Sequence, residues 1–199
     1  MRERRRLKKV TWYHTEVAPW RMAPRLIHAT FSDLPEAVLV RSVLMRLIAE
    51  LEAGREPQIR GSVRTLGYRY VLPVWTHAYG ADRSTWDRRL TRTLAALILR
   101  QGATNYTRLG ITDASWEQRR IGTDRPEVIV FAEDHSLVRL MREIHTRHGV
   151  TTLITGAFPR ASTAEYTARH VTEAMAGGGR RRRRVRLLSL HDYDVHGWD

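Results

Sequence analysis

VIVFAEDHSLVRLMREIHTRHGVTTLITG, residues 128–156, decides the fold. It opens on VIVFAE, a short apolar run rich in β-branched side chains. HSLVRLMREIHTRHG then carries apolar residues at helical spacing and stops on Gly149, and VTTLITG is a second β-rich run. Strands that are apolar on both faces and joined by a helix form a βαβ unit, in which the strands run parallel and are buried. Working outward, STAEYTARHVTEAMAGGG (162–179) reads as a second helix and VRLLSLHDYD (185–194) as a third strand. The expectation for residues 126–199 is therefore a Rossmann-like βαβαβ parallel sheet.

Upstream the texture is helical. SDLPEAVLVRSVLMRLIAELEAG (32–54) predicts an amphipathic helix, with Ser32 as the capping residue, Pro35 near the first turn and Gly54 as the stop. SVRTLGYRYVLPVW (62–75) and STWDRRLTRTLAALILRQG (84–102) come next, and the turn-rich TRLGITDASWEQRR (107–120) has the makings of a short β wing. Helices followed by a small basic hairpin suit a winged-helix DNA reader. The first residues, MRERRRLKKV, are a cationic arm with too little apolar content to pack, and they lead into an irregular stretch around Pro19 and Pro24. The chain is thus expected to be α/β, or α+β overall. It has a basic arm over 1–30, a helical winged-helix-like domain over 31–125, and the βαβαβ domain over 126–199.

Charge points to the partner. Against 21 acidic residues stand 34 basic ones, for a formal charge of +13 and a pI near 11.1. Coulomb attraction and counterion release make a phosphate backbone the natural ligand of such a surface. Arg119 and Arg120, beside the expected wing, are candidate DNA contacts. So are Arg180, Arg181, Arg182, Arg183 and Arg184 in GGGRRRRR. The chain has no cysteine, which excludes thiolate metal sites, thiol catalysis and disulfides. No run approaches the roughly 20 apolar residues of a membrane span, and no signal peptide is legible. The expected location is cytoplasmic and nucleoid-associated, or nuclear in a eukaryote.

In open parallel sheets, functional groups gather outside the carboxyl ends of the strands. Glu133 lies just beyond VIVFA, and Asp192 and Asp194 lie just beyond VRLLSLH. Alternate residues leaving an extended segment share a side, so the two aspartates are able to converge, and Glu133 faces them if the strands are neighbours. Three clustered carboxylates repel one another unless a divalent cation is bound. Mg²⁺, or Mn²⁺ in its place, takes oxygen ligands of this kind beside a phosphate.

A glutamate after the first strand, together with DYDVHG (192–197) after a later one, resembles the Toprim domain of topoisomerases, primases and certain nucleases. ITGAFPRAST (154–163) is similar to a segment of one branch, the A subunit of topoisomerase VI, a type IIB DNA topoisomerase, and its relatives in meiotic recombination. That branch carries its nucleophile in a winged-helix domain ahead of Toprim, in a motif like TxRxxYY, which SVRTLGY (62–68) resembles. The resemblance covers roughly residues 30–199. It implies that Tyr68 is the catalytic tyrosine and that Arg64 is its arginine partner. It also implies a homodimer acting on double-stranded DNA, a shared active site between protomers, and a GHKL-type ATPase as B subunit. Gly67 stands where the motif has its first aromatic, and Val195 where a proline is usual. The family continues past the point where this chain ends, so a fragment or a reduced member is expected.

Chemically, a phenol titrating near about 10 needs an adjacent cation or metal to attack phosphorus at neutral pH. Arg64 lies one helical turn before Tyr68 and so shares its face. Two rival readings stand beside the transesterase. One is a Toprim nuclease that activates water and has no need of Tyr68. The other is a non-catalytic DNA-binding subunit.

Overall fold

The computed structural model describes residues 17–80, 85–113, 115–156, 160–176 and 184–190. They fall into two compact units, divided between Thr112 and Asp113.

In unit one, Pro24 opens α1 (Pro24–Phe31) at a position where a missing N–H costs nothing. The prolines suggest irregular structure there, yet Ile27 and Phe31 are buried on this helix. Ser32 closes α1 instead of capping the next helix, and Pro35 precedes α2 (Glu36–Glu52). Leu39, Val40, Val43, Leu44 and Leu47 form a fully buried stripe along α2, at the three-and-four spacing of one helical face.

A continuous helical stretch comes next in three parts: α3 (Val63–Leu66), a π-helical turn (Gly67–Val71) and α4 (Leu72–Tyr79). Beyond it lie α5 (Trp86–Ala95), with its own π turn (Ala96–Arg100), and α6 (Tyr106–Leu109). α1 packs on α4 and α2 on α5. Gly61 and Ile111 form an isolated parallel bridge.

Unit two is an α/β layer structure. Its strands are β1 (Arg119–Arg120), β2 (Arg125–Ala132), β3 (Val150–Ile154) and β4 (Arg186–Leu190), in the order β1-β3-β2-β4. β2 runs parallel to both β3 and β4, as the βαβαβ pattern predicts, whereas β1 is antiparallel to β3. The sheet is therefore mixed. The expected wing is not a hairpin among the described residues, because Arg119 and Arg120 pair with Leu153 and Thr152 of β3 and so join the second unit's sheet.

α7 (Val138–His148) covers one face through Met141, packed with Val130, Ala132, Val150 and Ile154. α8 (Ala161–Ala176) covers the other, where Ile129, Phe131 and Leu153 meet Thr163, Thr167 and Val171 around a cavity of about 440 Å³. Alternate residues of β2 thus serve opposite faces, which is why its run is almost continuously apolar. Gly149 ends α7 at φ +59°, and a Cβ there would lie 2.5 Å from Oδ2 of Asp124, so both the backbone and the space require glycine.

Candidate active site and nucleic-acid interface

The nucleophile motif begins at a helix cap. Ser62 accepts from the Thr65 amide at 3.2 Å, and the Thr65 hydroxyl accepts from the Ser62 amide at 3.2 Å. This reciprocal box starts α3 and sets the phase of the turns after it. Arg64 and Tyr68 consequently share a face. The Arg64 Nε–H donates to the Tyr68 hydroxyl at 3.0 Å, and its guanidinium carbon lies 5.4 Å from the ring centroid. Tyr68 is 49% exposed, so its oxygen is open to a ligand. Cation and phenol oxygen therefore stand together at the surface, where the charge of a phosphodiester would be welcome.

Two nearby tyrosines are engaged otherwise. Tyr70 is buried and donates to Glu56 Oε2 at 3.0 Å. Burial first, and then the Glu56 carboxylate, push its phenol up to about 12. Glu56 also accepts from Trp20 Nε1 at 3.1 Å and pairs with Arg21. Desolvation resists ionisation of Glu56, but the bonds from Trp20, Tyr70 and Arg21 outweigh it and keep the carboxyl below its usual range. Tyr79 donates to the Leu34 carbonyl at 2.6 Å. Both rings brace the fold, which leaves Tyr68 as the accessible phenol of the three.

Sequence reasoning missed Trp86. Its ring lies 5.4 Å from that of Tyr68 at a 57° tilt. A Cβ at Gly67 would sit 2.4 Å from Trp86 Cζ3 and 2.7 Å from Leu90 Cδ2. Gly67 thus departs from the two-aromatic motif at the point where Trp86, from another helix, occupies the space. Gly67 weakens helix propensity in the sequence, but nothing local says which side chain lies over it.

In unit two, Glu133 follows β2 and is exposed. In the parallel β2–β4 pairing Ala132 is opposite Leu190, and across β3 it is opposite Ile154, so the three strands end level at their carboxyl edge. Asp192 and Asp194, which follow β4 in sequence, lie outside the described residues. Among the described residues no hydrogen bond or ion pair engages Glu133, and no group of three or more metal-type ligands converges. Its neighbour Asp134 is a structural cap. It accepts from the Ser136 amide at 2.7 Å, and this bond holds its carboxyl below the usual range. Glu133 is thus an exposed carboxylate at the edge where β2 and β4 finish.

The basic candidates separate. Arg119 is buried and forms an ion pair with buried Asp113. Its guanidinium carbon lies 5.8 Å from the Trp116 ring and 5.7 Å from that of Tyr166. It braces the interior of unit two, and so the expectation that it contacts DNA is withdrawn. Arg120 is half-buried on β1, and Arg184 is exposed just before β4. Arg180, Arg181, Arg182 and Arg183 lie outside the described residues. Among the described residues no helix is long and apolar enough to cross a membrane. Compared with known family profiles, curated proteins and solved structures, the chain matches none.

Proposed function

We propose that the chain is a topoisomerase VI A-like DNA transesterase with Tyr68 as nucleophile. The observation that carries this reading is the 3.0 Å contact between Arg64 Nε and the exposed Tyr68 oxygen. A guanidinium beside a phenol supports attack on phosphate in two ways. It offsets negative charge developing on the nucleophile, and it offers a fork of donors to the phosphate oxygens.

In the proposed step the Tyr68 oxygen attacks phosphorus, and the phenolic proton is lost to solvent or to a base. The phosphorus–oxygen bond to one deoxyribose breaks, and the departing sugar oxygen takes up a proton. The phosphotyrosyl link keeps the phosphoester bond energy, so the reverse reaction reseals the strand. Glu133, Asp192 and Asp194 would hold Mg²⁺ or Mn²⁺, which when bound would neutralise phosphate charge during the transfer. The level ends of β2 and β4 favour this ligand set, since Glu133 and the two aspartates follow hydrogen-bonded neighbours. Arg120 and Arg180–Arg184 contribute the charge that attracts double-stranded DNA. A winged-helix arrangement for the helical unit, a Toprim arrangement for the second, a homodimer and a GHKL-type ATPase partner complete the proposal.

The test is a denaturing assay for protein-linked DNA after incubation with duplex, Mg²⁺ and an ATPase partner. Tyr68→Phe keeps the ring and removes the attacking oxygen, so the adduct should vanish while DNA binding persists. Free ends without an adduct, cut equally well by Tyr68→Phe, would establish the nuclease instead.

A further inference from the structure

We infer that Trp86 is the positioning residue of Tyr68, holding the phenol where it meets Arg64. Its functional consequence rests on the nucleophile reading of Tyr68, whereas the geometry itself does not.

A half-exposed tyrosine and an exposed arginine are poor at holding each other. Surface side chains exchange rotamers in picoseconds to nanoseconds, and a solvated contact between two of them adds little order. Tyr68 and Arg64 nevertheless meet at 3.0 Å, with the guanidinium carbon 5.4 Å from the ring centroid. The additional constraint on the ring is Trp86, with 5.4 Å between centroids and a tilted approach suited to aromatic pairs. Trp86 is half-buried at the first position of α5, and one turn later Leu90 is buried against the same glycine. The indole is therefore anchored on one side by the core and presents its other contact to Tyr68.

Gly67 makes the approach possible. Any side chain at 67 would occupy the place of the indole edge, 2.4 Å from Cζ3. This glycine is also the first residue of the π turn that carries Tyr68, and such turns redirect side chains relative to a regular helix. Three features thus converge on one ring: an absent side chain at 67, a widened turn from 67 to 71, and a large aromatic supplied by another helix. Reaction rates depend steeply on the placement of a nucleophile, so a ring fixed in this way contributes to turnover more than to DNA affinity.

The experiment uses the full chain and two readouts. The first is the Arg64 Nε–H signal in a nitrogen-15 spectrum, assigned by its loss in Arg64→Lys. Tyr68→Phe removes the acceptor and shifts that signal. Trp86→Leu, which keeps an apolar contact with Leu90 but has no ring, should shift it the same way, and Trp86→Phe should return it towards wild type. The second readout is the rate of adduct formation. It should fall about tenfold to a hundredfold at saturating DNA in Trp86→Leu, with KM unchanged and recovery in Trp86→Phe. A folded Trp86→Leu protein with the wild-type Arg64 signal and wild-type adduct rate overturns the inference. If Trp86→Leu fails to fold, Trp86→Phe and Trp86→Met serve as the pair, and an Arg64 signal identical in both also overturns it. An Arg64 signal that tracks the aromatic ring in a protein that never forms an adduct sustains the positioning and sinks the nucleophile reading alone.

Discussion

Asp113 and Arg119 form an ion pair almost closed to water, with side chains 4% and 1% exposed. A pair at this depth gives up hydration on both partners, and leaving one of them alone costs far more than removing both. Asp113→Ala should therefore destabilise the second unit by about 3–5 kcal/mol, read from chemical denaturation. Restoring neutrality with Arg119→Met in the same chain should recover much of that loss. A single substitution without effect on the midpoint would contradict the buried pair.

DNA affinity should fall steeply with salt, in proportion to the phosphates neutralised. Replacing Arg180–Arg184 with glutamine should flatten the plot of log affinity against log salt concentration. Arg119→Met combined with Asp113→Ala should leave the slope unchanged, since Arg119 faces inward. Fluorescence anisotropy on a short duplex at several salt concentrations distinguishes the two, and salt-insensitive binding would contradict the polyanion reading.

Gly67→Ala is a test of space. Alanine improves helix propensity by about 1 kcal/mol over glycine in an unconstrained helix. Here the new Cβ would lie 2.4 Å from Trp86 and 2.7 Å from Leu90, so one of them must move. Overpacking of this kind costs about 1–3 kcal/mol, and the net change should be destabilising. A midpoint raised by Gly67→Ala would mean that the indole is not seated there.

Metal affinity should depend on Glu133. Calorimetric titration of Mn²⁺ is expected to give weaker binding for Glu133→Ala, and weaker still for Glu133→Ala with Asp192→Ala, because each substitution removes an oxygen ligand. Undiminished affinity in the double variant would move the ion elsewhere.

Acid sensitivity should track Glu50. This buried carboxylate accepts from Arg55 at 2.8 Å and pairs with Arg46 at 2.7 Å. The Arg55 hydrogen bond, joined by the charges of both arginines, outweighs desolvation and keeps Glu50 below the reference value of 4.5. The unfolded chain therefore takes up this proton more readily than the folded one. Its contribution to stability is complete above pH 4.5 and is lost as pH falls through the lower folded value. Glu50→Gln should be less stable than wild type at neutral pH, and the gap should narrow below pH 4.5. A gap independent of pH would show that the charge of Glu50 plays no part.

Much of this protein is dictated by local pattern. The near-continuous apolar run of β2, the stripe along α2 and the stop at Gly149 are readable because a strand covered on both faces is apolar throughout and a helix buried on one face repeats every 3.6 residues. The Arg64–Tyr68 contact is legible for the same reason, since residues one helical turn apart are neighbours whatever surrounds them. Contacts between distant segments are decided otherwise, by which faces meet once the elements pack. Nothing in WEQRR indicates that Asp113 and Tyr166 close around Arg119, or that β1 leaves the helical unit to pair with β3. Nor does GYRYV identify Trp86 as the side chain over Gly67. Sequence alone thus made legible the pairing of Arg64 with Tyr68 and the parallel strands of the second unit. Only tertiary structure decided which arginine is internal, which tyrosines are engaged and what confines Tyr68, because those outcomes depend on close packing between residues far apart in the chain.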